Sequence, residues 1–190
     1  MRAAVRALDQ IPSHVYLSLN VSPATLLSPR LDEVLGDADA GRIVLEITEH
    51  QPVDDYDALR ERLKPMRDAG MRLAIDDACA GFASLRHILQ LHPDIIKLDV
   101  SLTHGIESDP ALQALASSLL AFSARIGATI VAEGIETERQ LEALSILGIG
   151  FGQGELLGAP GHGIARHLPN AVELSAWPEN LASKDNPHTR

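Results

Sequence analysis

The chain alternates between short aliphatic runs and longer segments in which apolar residues recur at helical spacing. Six runs have the length and β-branched content of strands: residues 15–20 (VYLSLN), 43–47 (IVLEI), 72–75 (RLAI), 95–98 (IIKL), 129–132 (TIVA) and 149–153 (IGFGQ). Helical patterns fill the intervals. Residues 1–9 carry one, and 54–69 carry another that Pro65 is expected to kink or break, because proline removes a donor and crowds the preceding turn. A short helix is expected over 84–91. Asp109 followed by Pro110 supplies an N-cap and a proline at the first helical position, before an apolar stretch that Gly127 closes. Thr137 and Gln140 have the spacing of a capping box ahead of LEALSILG, which ends at Gly148.

Strand, helix and strand repeating in this way predict right-handed βαβ units, hence a parallel sheet and the α/β class. The polar residues bear on whether the sheet closes. Asn20, Glu46, Asp76, Asp77, Lys97, Glu133 and Gln153 each fall at or just beyond the C-terminal end of a strand. Such decoration of strand after strand is what a barrel with its site at the top requires. A doubly wound sheet would instead carry a glycine-rich turn after its first strand, and Asn20 is followed by VSPATLL.

Asp76 and Asp77 are adjacent, and two carboxylates that both stay ionised in a partly buried place need compensating charge. Divalent cations supply it most economically, and the oxygen donors at hand suit magnesium, manganese or calcium rather than zinc. Two such ions would clamp a phosphodiester and activate a water, with Lys97 holding that water or neutralising developing charge. Each residue also has a plainer reading. The aspartates could cap a helix, Lys97 could pair with Asp99, Glu46 with a neighbouring lysine, and Asn20 could serve a turn. The joint placement on successive strands separates the two readings. A different chemistry with the same parts is a magnesium-dependent barrel acting on a carboxylate, with Lys97 as a base.

Composition narrows the field. A formal charge of -10 with only 3% aromatic residues leaves no basic surface for DNA or RNA. Cys79 is the single cysteine, which excludes an internal disulfide and a thiolate zinc cluster within one chain. Two carboxylates lie close before it in sequence and would raise a thiol pKa, so it is not expected to be a nucleophile. The histidines show no ligand spacing. No apolar run reaches the length of a membrane span, and the N-terminus lacks a signal-peptide pattern, so the expected address is the cytoplasm.

The segments LSLNVSP, LEITE, IDDACAGFASL, IKLD, AEGIET and FGQGELLGAP, in this order, resemble the motifs of EAL domains, which hydrolyse the bacterial second messenger cyclic di-GMP to pGpG. The resemblance runs from about Val15 to Pro160 and implies a TIM-like (β/α)8 barrel. It implies that Asn20, Glu46, Asp76, Asp77 and Glu133 hold two magnesium or manganese ions, with calcium as an inhibitory substitute. It further implies that Lys97 and Glu133 serve catalysis, that Gln153 lines the site, and that Glu136 and Asp99 support the ligand or the loop after the aspartates.

Three departures from the family pattern shape the expectation. No Glu-Ala-Leu precedes the Asn-Val-Ser segment, so the barrel is expected to be incomplete: about six βα units, with the first two strands and one metal ligand missing. Residues 1–181 would form this partial barrel and 182–190 a disordered tail, with a short helix over 167–181 anchored by Trp177. The loop after the aspartates reads ACAGFAS where the family has Phe-Gly-Thr-Gly-Tyr-Ser-Ser, and Glu155 stands where the family has tyrosine. A homodimer or another domain is expected to cover the open edge. The chain by itself is expected to be a weak phosphodiesterase, or a degenerate module that binds cyclic di-GMP or a protein without turnover.

Overall fold

Five strands follow one another across a single sheet in the order β1-β2-β3-β4-β5, each parallel to the last, in this computed structural model, which describes residues 1–48, 52–78 and 82–159. The strands are β1 (Leu17–Asn20), β2 (Ile43–Thr48), β3 (Arg72–Ala78), β4 (Ile95–Leu98) and β5 (Thr129–Ala132). Sequential order is the informative feature. Right-handed crossovers that never reverse direction put their helices on one face of the sheet, which is the construction of a barrel wall.

The outer face carries the main core. Ile43, Leu45 and Ile47 of β2, Leu73 and Ile75 of β3, Ile96 and Leu98 of β4 and Ile130 of β5 pack in one cluster with residues from the helices. Those helices are α1 (Arg2–Arg6), α2 (Pro23–Leu27), α3 (Arg30–Leu35), α4 (Tyr56–Asp68), α5 (Phe82–Leu91), α6 (Val100–Thr103), α7 (Pro110–Ile126) and α8 (Glu138–Ile146). The expected end signals are present. Asp109 Oδ1 accepts from the Ala111 and Leu112 N–H groups, and Gly127 ends α7 with a left-handed backbone. Thr137 and Gln140 form both halves of the capping box on α8.

The inner face is built from the alternate residues. Val44, Ala74 and Ile95 make a separate buried cluster against which Val131 packs. Each lies two positions before an acidic or basic residue: Glu46, Asp76, Lys97 and Glu133. Because side chains on a strand repeat every second residue, an apolar floor therefore lies directly below a charged layer. The Arg72 guanidinium stacks 4.8 Å from the Tyr16 ring centre, and both residues are two positions further back again on that face's period.

Two expectations are corrected. Residues 149–153 do not form a sixth strand; only a parallel bridge between Ala132 and Gly152 joins them to β5. The described residues thus hold five strands rather than six. Glycines at 148, 150, 152 and 154 weaken strand pairing, and Gly148 has a φ of +87°. Pro65 does not break its helix either, since α4 runs on to Asp68. The proline costs one bond a single turn from the end, and Leu59, Leu63 and Met66 hold the helix against the core. The expected tail at 182–190 and the helix over 167–181 lie outside the described residues.

Gly134 follows the β5 strand and sets the exit of the chain beside α6. Its φ is +67°, and a Cβ there would lie 2.4 Å from Val100 Cγ2. Gly134→Ala is expected to destabilise the protein by about 1–3 kcal/mol through overpacking and backbone strain. Val100→Ala should restore only the steric share, so a double-mutant cycle in urea unfolding should show partial recovery.

Candidate functional site

Lys97 stands at the middle of the inner face, on β4, with its side chain nearly enclosed. Its Nζ lies 2.7 Å from Asp76 Oδ1, 2.7 Å from Glu133 Oε1 and 3.3 Å from Glu46 Oε2. Three strands, β2, β3 and β4, and the residue after β5 thus contribute to one ionic cluster. Glu46 and Lys97 are only 8% and 7% exposed, so these are not solvated surface pairs and are screened little by water.

The adjacent aspartates occupy an irregularity in the sheet. Consecutive strand residues should point to opposite faces, which would send one carboxylate into the apolar outer core. The β3–β4 register shifts between Ile75 and Ala78, and Asp77 has a φ of +53°, a left-handed backbone that aspartate tolerates better than most residues. Through this bulge, carboxylate oxygens of Asp76, Asp77 and Glu133 all come within 4.8 Å of one another. Both aspartates therefore serve the same site.

Neutral donors border the cluster. Gln153 Nε2 donates to Glu133 Oε1, and the Ser18 hydroxyl donates to Glu46 Oε1. Ser18 is a site residue that sequence reasoning missed. Its signal was the two-residue spacing to Asn20, which puts both on the same face of β1. Asn20 itself is exposed at the end of β1, and its Cα is in register with that of Glu46.

The remaining candidates lie nearby in other roles. Asp99 caps α6, its Oδ1 accepting from the Ser101 N–H at 2.9 Å. Glu136 is exposed just before the Thr137 cap, and its own N–H donates to Gln140 Oε1. The loop that Glu136 is expected to support, Cys79–Gly81, lies outside the described residues. Glu155 is exposed in the turn after Gln153. The tripeptide Glu142-Ala143-Leu144 spells the motif absent upstream of Asn20, but it belongs to the outer helix α8, where Leu144 is buried in the core.

Electrostatics follow from the geometry. Burial by itself would lower the Lys97 pKa, but the bonds to Asp76 and Glu133 and the Glu46 charge outweigh it and hold the ammonium above its ordinary range. Lys97 is a fixed cation and hydrogen-bond donor, which disfavours its use as a base. Burial pushes the Glu133 carboxyl up to about 7, Lys97 opposing the shift and the charges of Asp76 and Asp77 adding to it. One ammonium among four carboxylates leaves the centre short of positive charge.

A carboxyl with a raised pKa keeps its proton in the folded state after the unfolded chain has released it. Stability from this group is present below about pH 4.5 and is lost as the pH rises towards 7. Without metal, the melting temperature of Glu133→Gln relative to the unsubstituted protein should therefore rise between pH 5 and pH 8. Thermal melts in a chelating buffer check this; a flat or falling difference contradicts the shift.

Comparison with known proteins agrees with this architecture. A sequence description of the EAL domain matches residues 1–160. The chain is 32% identical over 152 residues to the probable cyclic di-GMP phosphodiesterase PdeG of Escherichia coli K12, across 77% of this chain and 30% of that protein. The structure of Klebsiella pneumoniae BlrP1 with calcium and cyclic di-GMP superposes with a TM-score of 0.74 at 32% identity, covering 84% of this chain and 42% of BlrP1. BlrP1 has also been solved with manganese and the same nucleotide. The EAL domain of Mycobacterium smegmatis DcpA gives a TM-score of 0.75 at 30% identity, over 84% of this chain and 76% of that domain. The chain spans less than half the length of the curated relatives it matches. With a barrel wall of parallel strands, an acidic cluster at its carboxyl edge and a family match over residues 1–160, the chain belongs to the EAL domain family.

Proposed function

We propose that this domain acts in cyclic di-GMP signalling and hydrolyses one phosphodiester of the nucleotide to give pGpG. The observation that carries the reading is the inner-face cluster itself. Glu46, Asp76 and Glu133 converge on Lys97, and Asp77 is turned in beside them by a bulge. A purely structural wall gains nothing from four acids gathered on one face.

The donor set fits hard divalent cations such as magnesium or manganese. The ligand atoms on offer are carboxylate oxygens and the Asn20 amide, the carboxylates are only partly exposed, and their charge exceeds that of Lys97. Asn20, Glu46, Asp76, Asp77 and Glu133 would hold the ions. When bound, two ions supply the positive charge that a phosphodiester and its attacking water require. Lys97, an ammonium fixed in the cluster by Asp76, Glu133 and Glu46, would donate towards that water and offset charge on the phosphate. Gln153 keeps Glu133 turned into the cluster through its amide. The rigid strands hold these groups in place, so positioning supplies much of the rate.

A second reading is a domain that binds cyclic di-GMP without turning it over. Its support is the altered segment after the aspartates, where Ala78, fully buried at the end of β3, replaces a phenylalanine of the family pattern.

Incubation of the chain with cyclic di-GMP and manganese, followed by chromatography, tests the proposal. The expected result is slow formation of pGpG that falls by about 100-fold or more in Asp76→Asn and in Lys97→Ala. A folded protein that forms no pGpG, yet gives a heat of binding with the nucleotide in calorimetry, would move the assignment to the binding module.

A further inference from the structure

β1 reads Leu17-Ser18-Leu19-Asn20, and Leu19 is buried in the outer core, so Ser18 and Asn20 share the inner face. Register sets the Ser18 Cα beside Val44 and the Asn20 Cα beside Glu46. Val44 has an apolar side chain belonging to the floor. The Ser18 hydroxyl instead reaches one step along β2 and donates to Glu46 Oε1.

Glu46 is thereby held by two donors of different kinds. Oε1 takes the neutral hydroxyl, and Oε2 faces the Lys97 ammonium. Of the three acids on Lys97, Glu46 is the most distant, at 3.3 Å against 2.7 Å for Asp76 and Glu133. Lys97 therefore restrains Glu46 least, and the hydroxyl supplies the remaining restraint. The neutrality of the donor also matters. A second cation at this place would cancel the charge that a divalent ion needs, whereas a hydroxyl orients the carboxylate and leaves its charge intact.

We infer that Ser18 is a positioning residue of the metal site, fixing the Glu46 carboxylate so that Oε2 is presented to the acidic centre. The inference rests on the metal-dependent reading above. Without the hydroxyl, Glu46 is free to turn both oxygens onto Lys97, and an ion would have to break that pairing before it could bind.

Threonine and valine have the same branched shape, suit a strand and differ in the hydroxyl alone, so Ser18→Thr and Ser18→Val separate hydrogen bonding from packing. The probe is manganese alone, titrated into each protein and followed by the electron paramagnetic resonance signal of the free ion. Ser18→Thr should bind as the unsubstituted chain does, and Ser18→Val about tenfold more weakly. In a Glu46→Gln background the Thr and Val variants should bind alike, because the hydroxyl acts through Glu46. Equal affinities for Ser18→Thr and Ser18→Val in the native background would overturn the inference, as would a tenfold difference that persists with Gln at position 46. If the unsubstituted chain binds no manganese, the metal-dependent reading fails and this inference fails with it. If the unsubstituted chain binds and the two Ser18 variants do not differ, only the inference fails.

Discussion

The ammonium of Lys97 is the interaction on which the inner face depends. Four carboxylates drawn from β2, β3 and the end of β5 would repel one another strongly in a partly dry cleft, and the lysine between them makes their approach tolerable. It does so incompletely. A buried ion cluster left with excess negative charge is poor evidence for stability and good evidence for a place where a cation belongs. The fold tolerates the cluster because stability is supplied elsewhere, by the aliphatic layer between the sheet and its helices. The two faces of one sheet thus divide the tasks, and the two-residue strand period keeps them apart.

Much of this was legible in the residues. The aliphatic runs located the five strands, and IVLEI and IIKL already showed a charge among apolar neighbours, at odds with an ordinary buried strand. Caps at Asp109, Thr137 and Gly127 were readable because each relies on local chemistry, a side-chain acceptor or a backbone free to turn left-handed. The pairing of Glu46, Asp76 and Glu133 with one lysine was not readable to the same degree. It depends on register between residues 21 to 51 positions apart, which no local signal encodes. The same limit hid Ser18, an ordinary residue until its hydroxyl is placed diagonally across from Glu46. The IGFGQ segment misled in the opposite direction. Its apolar residues resemble a strand, but alternating glycines leave it one bridge to β5.

The family assignment and the geometry support each other on separate grounds. The match over residues 1–160 concerns sequence, whereas the cluster of carboxylates around Lys97 follows from strand order and side-chain direction. Asn20, Glu46, Asp76, Lys97 and Glu133 sit where a barrel would carry its working groups, at the carboxyl ends of parallel strands. Glu142 of α8, by contrast, reproduces the letters of the family motif in the wrong element. Position in the sheet, and not the tripeptide, confers chemistry on a glutamate.

The bulge at Asp77 has a consequence for how this stretch of gene can change. Substitutions at Asp76 or Asp77 alter one carboxylate at a time, but a single-codon deletion between Ile75 and Ala78 would remove the extra residue that the shifted register absorbs. The strand would return to regular pairing, and the single aspartate left after Ile75 would face the inner side, so the deletion also removes one carboxylate. A shortened segment and a point substitution therefore reach the same one-carboxylate site by different routes, and only the first also straightens the strand.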